Sequence, residues 1–330
     1  MKILLTGASS FTGSWIAPAL ARAGHEVTAV FTRSGLHAYE GLRRARVQRV
    51  LPFVRPVWGV ESGDLAFVQL CRAPGGWDLL CLHGAEVGEY KVADFDWRRA
   101  LARNSRGYAE IFSTLAANAA TAVVLTGSYF EADEGNPDGA ADALSPYGLS
   151  KTLTWQACRH ECLRAGLGVG KFVIPNPVGP FEEPKLVANL TREWLRGSVP
   201  RLRTPQDVGD NLPVTALAAS YAKFAAEVCL AGRGAVSFCR PSGWCETVAN
   251  FSQRVAAEFG RMAGATFQVA ADKPVGSGAA VIRRNRPAAA PAPALADEAA
   301  FWREWFDYYF SRAEIVPAAA APAAVPLSSP

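Results

Sequence analysis

The feature that most constrains the fold lies at the N-terminus, where a short apolar run leads into a glycine-rich turn and then a helix. Residues 2–6 have the composition of a buried parallel strand, and residues 15–23 have the pattern of a helix. A helix N-terminus behind such a turn presents free amides and a positive dipole end, which bind the pyrophosphate of a dinucleotide. The residues predicted to contact this group are Gly7, Ser9, Ser10, Phe11, Thr12 and Gly13.

Further apolar runs alternate with helical patterns along the chain. We predict strands at 26–31, 77–83, 121–126 and 169–174. This alternation indicates the α/β class, with a Rossmann-type doubly wound parallel sheet whose ligands lie beyond the carboxyl ends of the strands. His83 and Ser128 both follow such strand ends.

The end of the second strand bears on the choice of dinucleotide. A site for NAD usually carries a carboxylate there, whereas the 2′-phosphate of NADP favours arginine or small hydroxyls. This strand ends in Thr32-Arg33-Ser34, without an acid. We therefore predict NADP as the cofactor, with Arg33 as a contact, and keep NAD as the alternative.

Tyr147 and Lys151 stand four residues apart in a helical pattern that follows Ser145-Pro146. That spacing is one helical turn, so both side chains lie on one face. A nearby ammonium favours the phenolate and brings a tyrosine toward the neutral range, where it can exchange a proton. The same spacing also occurs by chance in surface helices.

Together these residues make the chain resemble the extended short-chain dehydrogenases/reductases of the nucleotide-sugar epimerase/dehydratase type. The departures from the family pattern are Ser10 within the glycine turn, Gly84 after His83, and Gly127 before Ser128. The matches follow the family's order and comprise the glycine turn, Asp64-Leu65, His83-Gly84-Ala85, Asn104, Ser128 and Tyr147-x-x-x-Lys151.

The resemblance implies a role for each matched residue. Tyr147 would exchange a proton with the substrate oxygen, and Lys151 would lower the pKa of Tyr147 and hold the nicotinamide ribose. Ser128 would hydrogen-bond the reacting oxygen, while Asn104 would support the Lys151 side. The other implied cofactor contacts are Asp64 and Leu65, at the adenine, with His83, Gly84 and Ala85. The implied substrate contacts include Ser128 and Asn176, and we add Tyr129 and Arg240. Arg240 is a candidate to meet a diphosphate, because a planar guanidinium suits that group.

The residues after Ser128 narrow the reaction. A 4,6-dehydratase needs a carboxylate pair directly after this position, and this chain has Tyr129 and Phe130 there. We therefore favour NADPH-dependent reduction of a nucleotide-linked 4-keto sugar, or of another small carbonyl compound. The alternatives are a nucleotide-sugar 4-epimerase that retains NAD(P) and a catalytically silent dinucleotide-binding scaffold.

The domain organisation follows from the same patterns. We predict a dinucleotide-binding domain at 1–175, to which residues 205–240 return, and a smaller C-terminal substrate-binding lobe. The lobe comprises 176–204 and 241–315, and includes an aromatic segment expected to form a docked helix. Residues 316–330 are of low complexity and are predicted to be disordered.

Composition excludes several other classes. The net charge of +4 on 330 residues is spread along the chain, which requires neither a nucleic-acid partner nor a membrane surface. The seven cysteines lack a Cys-x-x-Cys pair, which predicts reduced thiols, no metal site and a cytoplasmic location. We expect no apolar run of membrane-spanning length. By the resemblance, helices at 97–117 and 145–165 would form the interface of a homodimer.

Overall fold

The computed structural model describes residues 1–88, 93–135, 142–271, 280–285 and 297–311. The predicted disordered segment at 316–330 lies outside these residues. The described part of the chain contains helices flanking a large sheet, and a second group of short strands and helices toward the C-terminus.

Seven parallel strands form the main sheet, in the order β10-β6-β5-β4-β1-β2-β3. The order reverses between β1 and β4, as in a doubly wound sheet, so the predicted fold class is confirmed. The strands are β1 (Lys2–Thr6), β2 (Glu26–Phe31), β3 (Arg55–Trp58), β4 (Leu79–Leu82), β5 (Ala122–Ser128), β6 (Gly168–Ile174), β7 (Asn176–Val178), β8 (Arg201–Leu202), β9 (Val208–Pro213), β10 (Val236–Cys239), β11 (Trp244–Thr247), β12 (Ala270–Ala271) and β13 (Ile282–Arg283).

The helices follow the predicted alternation, with one correction. The single helix predicted at 97–117 is two helices, because Gly107 adopts a left-handed φ of +72° between them. The helices are α1 (Gly13–Arg22), α2 (Gly41–Val50), α3 (Leu65–Cys71), α4 (Trp97–Asn104), α5 (Tyr108–Ala117), α6 (Pro146–Arg164), α7 (Leu186–Leu195), α8 (Val214–Ala231), α9 (Val248–Ala263) and α10 (Glu298–Phe310).

Each face of the sheet carries its own hydrophobic core. Residues of α1 and α8 cover one face, and residues of α3, α5 and α6 cover the other. The central strands β1, β4 and β5 are buried almost throughout, which explains why they read as continuous apolar runs rather than as alternating ones. The ends of these strands therefore stand at fixed positions relative to one another.

The C-terminal lobe is built around aromatic side chains. Trp244 stacks on Trp302 at a ring-centroid distance of 5.1 Å, and Trp194 stacks on Phe267 at 4.8 Å. The predicted aromatic helix is α10, whose buried residues join those of α7 and α9 in one core. The smaller sheet, with β11, β9, β13 and β7, connects this core to the end of β6.

We expected no apolar run of membrane-spanning length, but helix α8 is long and apolar enough to cross a membrane. More than half of its residues are buried inside the protein, and it packs against α1 and β6. A core helix of a large α/β domain has this same composition.

Candidate functional site

The turn after β1 forms a cradle that requires glycine at two positions. Gly7 has a φ of +77°, and a Cβ on it would lie 2.5 Å from the backbone nitrogen of Gly84. A Cβ on Gly13 would lie 2.2 Å from the carbonyl oxygen of Gly7. The first turn of α1 contains no acidic residue, so no carboxylate competes with an anion for the positive end of the helix dipole. The cradle therefore fits the pyrophosphate of a dinucleotide.

The remaining turn residues differ in what they offer a ligand. Ser9 and Ser10 are half-buried, and the Ser10 hydroxyl accepts a hydrogen bond of 3.1 Å from the Gly13 N–H. Phe11 and Thr12 are buried, so their side chains support the turn rather than line an open surface. The serine that replaces the usual glycine at position 10 thus caps the start of α1.

His83 joins the ends of three strands. Its Nε2 lies 3.0 Å from the Thr12 hydroxyl and its Nδ1 lies 2.9 Å from the Thr126 hydroxyl, while its backbone N–H donates to the Thr6 hydroxyl at 3.1 Å. Burial, reinforced by the charge of Lys151, lowers the pKa of His83 to about 3. The ring is therefore neutral, and we call these four residues, His83, Thr6, Thr12 and Thr126, the neutral cluster.

The loop after His83 passes close to the glycine turn. Gly84 is exposed, and a Cβ on it would lie 3.2 Å from the backbone nitrogen of Gly7. Its N–H donates to the Thr6 hydroxyl at 3.0 Å. The next residue, Ala85, is half-buried. The close approach of the two backbones explains why glycine follows His83 in this chain.

Asp64 has a structural function that the sequence did not indicate. Its carboxylate accepts hydrogen bonds from the N–H groups of Phe67, at 2.7 Å, and Glu61, at 3.0 Å, and it caps α3. The neighbouring Leu65 side chain is 67% exposed. Arg33 is also exposed, at the carboxyl end of the sheet. Cofactor contacts of Leu65 and Arg33 stay predictions, for which both side chains are accessible.

Asn104 supports the loop after β4. Its Oδ1 accepts a hydrogen bond of 2.8 Å from the Glu86 N–H, and its buried Nδ2 has no partner among the described residues. Lys151 itself donates to the carbonyl oxygen of Thr126, and the support of the Lys151 side by Asn104 stays a prediction.

Ser128, Tyr147 and Lys151 come together where β5 ends and α6 begins. The Lys151 Nζ lies 2.5 Å from the Thr126 oxygen, and its side chain is buried. Tyr147 is half-buried, with its ring edge-on to Phe130 at a centroid distance of 6.2 Å. Ser128 is also buried, and its hydroxyl accepts a hydrogen bond of 3.3 Å from the Phe130 N–H.

The first turn of α6 is fixed against the loop that follows Ser128. A Cβ on Gly148 would lie 2.0 Å from the carbonyl oxygen of Phe130, so only glycine permits this approach. The same oxygen accepts a hydrogen bond of 2.9 Å from the Leu144 N–H. In turn, the Ala132 N–H donates to the Thr152 hydroxyl at 2.9 Å. These contacts hold Tyr147 beside the Ser128 strand end.

The electrostatics of Lys151 are set by its surroundings. Burial lowers its pKa from the ordinary value, the charge of Lys171 lowers it further, and the carboxylate of Glu131 opposes this change. A lysine held in this way is a positive charge of fixed position one helical turn from Tyr147. The arrangement is suited to proton exchange by the phenol.

A second cluster lies behind Ser128. The Glu131 carboxylate lies 2.7 Å from Lys171, which lies 3.2 Å from Glu134. Glu134 accepts hydrogen bonds of 2.6 and 2.9 Å from Arg240. We call Glu131, Lys171, Glu134 and Arg240 the ionic cluster. The charge of Arg240, predicted to meet a substrate diphosphate, is thus already neutralised within the protein.

The other two predicted substrate residues lie beside the cleft end of the sheet. Asn176, in β7, donates through Nδ2 to the Asn211 Oδ1 at 2.7 Å. Tyr129 is only 8% exposed, and its N–H donates to the carbonyl oxygen of Ile174 at 3.1 Å. Both residues fix the end of β6 and the segment after it, and their substrate contacts stay predictions.

Sequence reasoning missed several residues of this site. Thr6 and Thr126 follow the apolar part of their strands, where a hydroxyl at a strand end gave a weak signal. The signal was stronger for the ionic cluster, because a lysine within the apolar run of β6 must be paired with a carboxylate if the strand is buried. That lysine is Lys171, and its carboxylate partners are Glu131 and Glu134. Its partners could not be identified from sequence spacing.

Comparisons with known proteins agree with the fold of this chain. The family model for the NAD dependent epimerase/dehydratase family matches residues 3–204. No curated protein matches the sequence significantly.

Solved structures with this fold share little sequence with the chain. The UDP-glucose 4-epimerase of Thermotoga maritima, solved with UDP-glucose, has a TM-score of 0.66 and 16% identity, over 94% of this chain and 99% of that one. The dTDP-glucose 4,6-dehydratase DesIV of Streptomyces venezuelae, solved with NAD and TYD, has a TM-score of 0.68 and 18% identity, over 96% and 98%. A UDP-N-acetylglucosamine 4-epimerase of Methanobrevibacter ruminantium has a TM-score of 0.68 and 14% identity, over 94% of this chain and 98% of that one.

Proposed function

Because the chain belongs to the NAD dependent epimerase/dehydratase family, we propose that it reduces the 4-keto group of a nucleotide-linked sugar with NADPH. The observation that supports this proposal best is the placement of a buried Lys151 one turn after Tyr147, next to the Ser128 strand end. Cytoplasmic location and a homodimer built on α4, α5 and α6 belong to the same proposal.

The residues of the chain divide the work at the reacting carbonyl. The nicotinamide, when bound, supplies the hydride. Tyr147 donates the proton to the carbonyl oxygen, and the Ser128 hydroxyl donates a hydrogen bond to that oxygen and orients it. Lys151, held by the Thr126 carbonyl, stabilises the phenolate that Tyr147 becomes. The cradle of Gly7 and the first turn of α1 would hold the pyrophosphate.

The structure supports the exclusion of dehydration. Tyr129 and Phe130 occupy the positions that a carboxylate pair would need. The first acid after Ser128 is Glu131, whose side chain is fully buried and paired with Lys171. A carboxylate enclosed in this way cannot reach a sugar carbon to remove a proton.

The preference for NADP rests on the end of β2. Thr32, Arg33 and Ser34 are all exposed, and no carboxylate stands among them to bind ribose hydroxyls or repel a phosphate. Arginine binds phosphate through two parallel hydrogen bonds, and hydroxyls add further donors. An enzyme that draws net hydride from NADPH is a reductase rather than an epimerase.

Epimerisation at the 4-position is the second candidate. It is favoured by the similar fold of enzymes described as UDP-glucose and UDP-N-acetylglucosamine 4-epimerases. An epimerase would carry nicotinamide through gel filtration and interconvert sugar nucleotides without added NADPH, which a reductase would not. A silent scaffold, the third candidate, has no need for the buried Lys151 beside Tyr147.

Replacing Tyr147 by phenylalanine tests the proton-transfer assignment. Nucleotide-linked keto sugars are screened with NADPH oxidation as the signal, and the variant is compared on the best substrate. We expect kcat to fall about 100-fold or more, since a positioned acid contributes on this scale. The Phe95 ring packs edge-on against the Tyr147 ring, so Phe95→Leu is the control for a change in the packing of Tyr147 that leaves its hydroxyl in place. Full turnover by Tyr147→Phe would refute the assignment.

Replacing Arg33 by alanine tests the cofactor preference. NADPH and NADH binding are measured by fluorescence titration for the wild type, for Arg33→Ala and for the exposed control Arg43→Ala. We expect the variant to bind NADPH about 10-fold more weakly with NADH binding unchanged, because one charged hydrogen-bond pair to the 2′-phosphate is lost. A clear preference for NADH that Arg33→Ala does not alter would contradict the proposal.

A further inference from the structure

The carboxylate of Glu131 has a position that the proposed reaction does not use. It lies three residues after Ser128, and its side chain is 0% exposed. Its Oε1 accepts a hydrogen bond of 2.7 Å from the Ser128 N–H, and its Oε2 lies 2.7 Å from the Lys171 Nζ. The carboxylate thus connects the backbone of a reacting residue to a buried cation.

A buried charge of this kind is costly unless its partners are complete. Lys171 is held between the carboxylates of Glu131 and Glu134, and Glu134 is held on its far side by Arg240. The ionic cluster therefore contains two negative and two positive charges, and it extends from the Ser128 peptide in β5 across β6 to the end of β10. Its members fix one another's positions.

Gly127 provides the space for this arrangement. A Cβ on Gly127 would lie 2.7 Å from the Glu131 Oε1 and 2.9 Å from the Lys171 Cε. Any side chain at position 127 would push the carboxylate and the ammonium away from the Ser128 peptide. The glycine that departs from the hydroxyl-rich strand end of the family is therefore matched to the Glu131–Lys171 pair.

We propose that Glu131 is a positioning residue for the reacting set, held in place by Lys171, which orients the Ser128 peptide and keeps a negative charge in the surroundings of Lys151. This inference rests on the proposed function, because it assigns Glu131 to the reaction of Ser128, Tyr147 and Lys151. The Glu131 side chain is fully buried, so it acts through Ser128, whose N–H donates to it.

The charged and titratable groups around the pair come from four elements. Lys171 faces Glu131 from β6, and Lys151 lies near it on α6, where Tyr147 and Cys158 also belong. Glu134, in the loop after β5, lies 3.2 Å from Lys171, and Arg240 reaches Glu134 from the end of β10. Removing the Glu131 charge favours loss of the proton from Lys151, because that charge raises the pKa of Lys151. Activity in the reductive direction should then fail at a lower pH than in the wild type.

The experiment compares Glu131→Gln with the wild type in the full-length protein. Glutamine keeps an acceptor for the Ser128 N–H but removes the charge. We expect kcat to fall about tenfold, and the alkaline limb of the kcat profile to move down by about half a pH unit or more. Glu110→Gln, which breaks an exposed pair with Arg72, is the matched control and should change neither. An unchanged kcat and alkaline limb in Glu131→Gln would overturn the inference.

A second variant covers the outcome that Glu131→Gln does not fold. Glu131→Val combined with Lys171→Met replaces the buried pair by apolar side chains, a change that proteins often tolerate, and leaves Glu134 with Arg240. This double variant removes both the acceptor and the charge, so we expect at least the same loss of kcat. A wild-type kcat in the double variant would refute the role of Glu131.

A measurement without substrate separates this inference from the proposed function. With 15N-serine labelling, the Ser128 amide resonance is identified by its loss in Ser128→Ala. We expect its proton to move upfield in the double variant, because a charged acceptor is lost. An unchanged Ser128 amide resonance in the double variant would refute the positioning role of Glu131, whether or not the variant is active. A resonance that moves, in a protein that reduces no keto sugar, would refute the proposed function and leave the Glu131 contact to Ser128 established.

Discussion

The neutral cluster and the ionic cluster both join strand ends next to Ser128 and Lys151, one through uncharged hydrogen-bonding groups and the other through ion pairs. The neutral cluster joins the ends of β1, β4 and β5 through an uncharged imidazole and three hydroxyls. The ionic cluster joins β5, β6 and β10 through four alternating charges. Thr126 connects the neutral cluster to Lys151, since its hydroxyl contacts His83 and its carbonyl oxygen accepts from Lys151.

The difference shows what each cluster requires of its members. The neutral cluster requires that His83 stay uncharged, because a second cation beside Lys151 would be repelled and buried without a counterion. The ionic cluster requires that all of its charges be present, because removing one leaves another buried without a partner. A loss in the neutral cluster therefore depends on pH, whereas a loss in the ionic cluster is large at any pH near neutrality.

The largest effect should come from breaking the ionic cluster at its centre. Lys171→Met leaves Glu131 facing an apolar side chain, and we expect the free energy of unfolding to fall by about 3–5 kcal/mol at pH 7. The measurement is urea denaturation followed by tryptophan fluorescence. Lys223→Met, in an exposed pair with Glu227, is the control and should cost less than about 1 kcal/mol. Equal losses in the two variants would show that the buried charges do not depend on one another.

A smaller and pH-dependent effect should come from the neutral cluster. The pKa of His83 in the folded protein, about 3, lies below the ordinary value of 6.5. As the pH falls, the His83 side chain is therefore protonated in the unfolded chain before it is protonated in the folded protein. The contribution of His83 to stability is thus complete above pH 6.5 and is lost progressively toward pH 3. Per pH unit in that window, the loss is about 1 kcal/mol.

His83→Gln keeps hydrogen-bonding groups but does not titrate, so it should flatten this dependence. Denaturation by urea at pH 6.5, 5.5 and 4.5 measures the slope, with the exposed His160→Gln as the control. A slope as steep in His83→Gln as in the wild type would mean that the imidazole is charged in the folded protein.

Most of the fold could be predicted from local sequence patterns. The apolar runs of β1, β2, β5 and β6 identified strands because central parallel strands are buried on both faces. The prediction of one helix at 97–117 was wrong at Gly107, where the chain adopts a left-handed conformation and the helix is interrupted. From sequence alone, a glycine that interrupts a helix cannot be distinguished from a glycine that a helix tolerates. Motif spacing likewise placed Ser128, Tyr147 and Lys151 at one site.

The partners of charged residues could not be predicted in this way. Arg240, predicted to meet a diphosphate, binds Glu134, which is 106 residues away in sequence. The carboxylate of Asp64, predicted to lie at the adenine, caps α3. Neither contact within the protein was foreseen, and both ligand contacts stay predictions. A charged side chain has the same composition signal whether it is solvated, paired or bound to a ligand, so only the positions of its neighbours distinguish these cases.

The sequence by itself determined the strand–turn–helix cradle, the parallel sheet and the Tyr147–Lys151 spacing, because each depends on contacts between residues close in sequence or on a repeated apolar pattern. The tertiary structure alone decided that Glu131 and Lys171 meet behind Ser128, and that Gly127 gives them room. The physical reason is the register of β5 and β6, which pairs Lys171 with Leu125 and so places Lys171 on the same face of the sheet as Gly127, two residues further along β5. This register is set by hydrogen bonds between backbones, which no sequence pattern specifies.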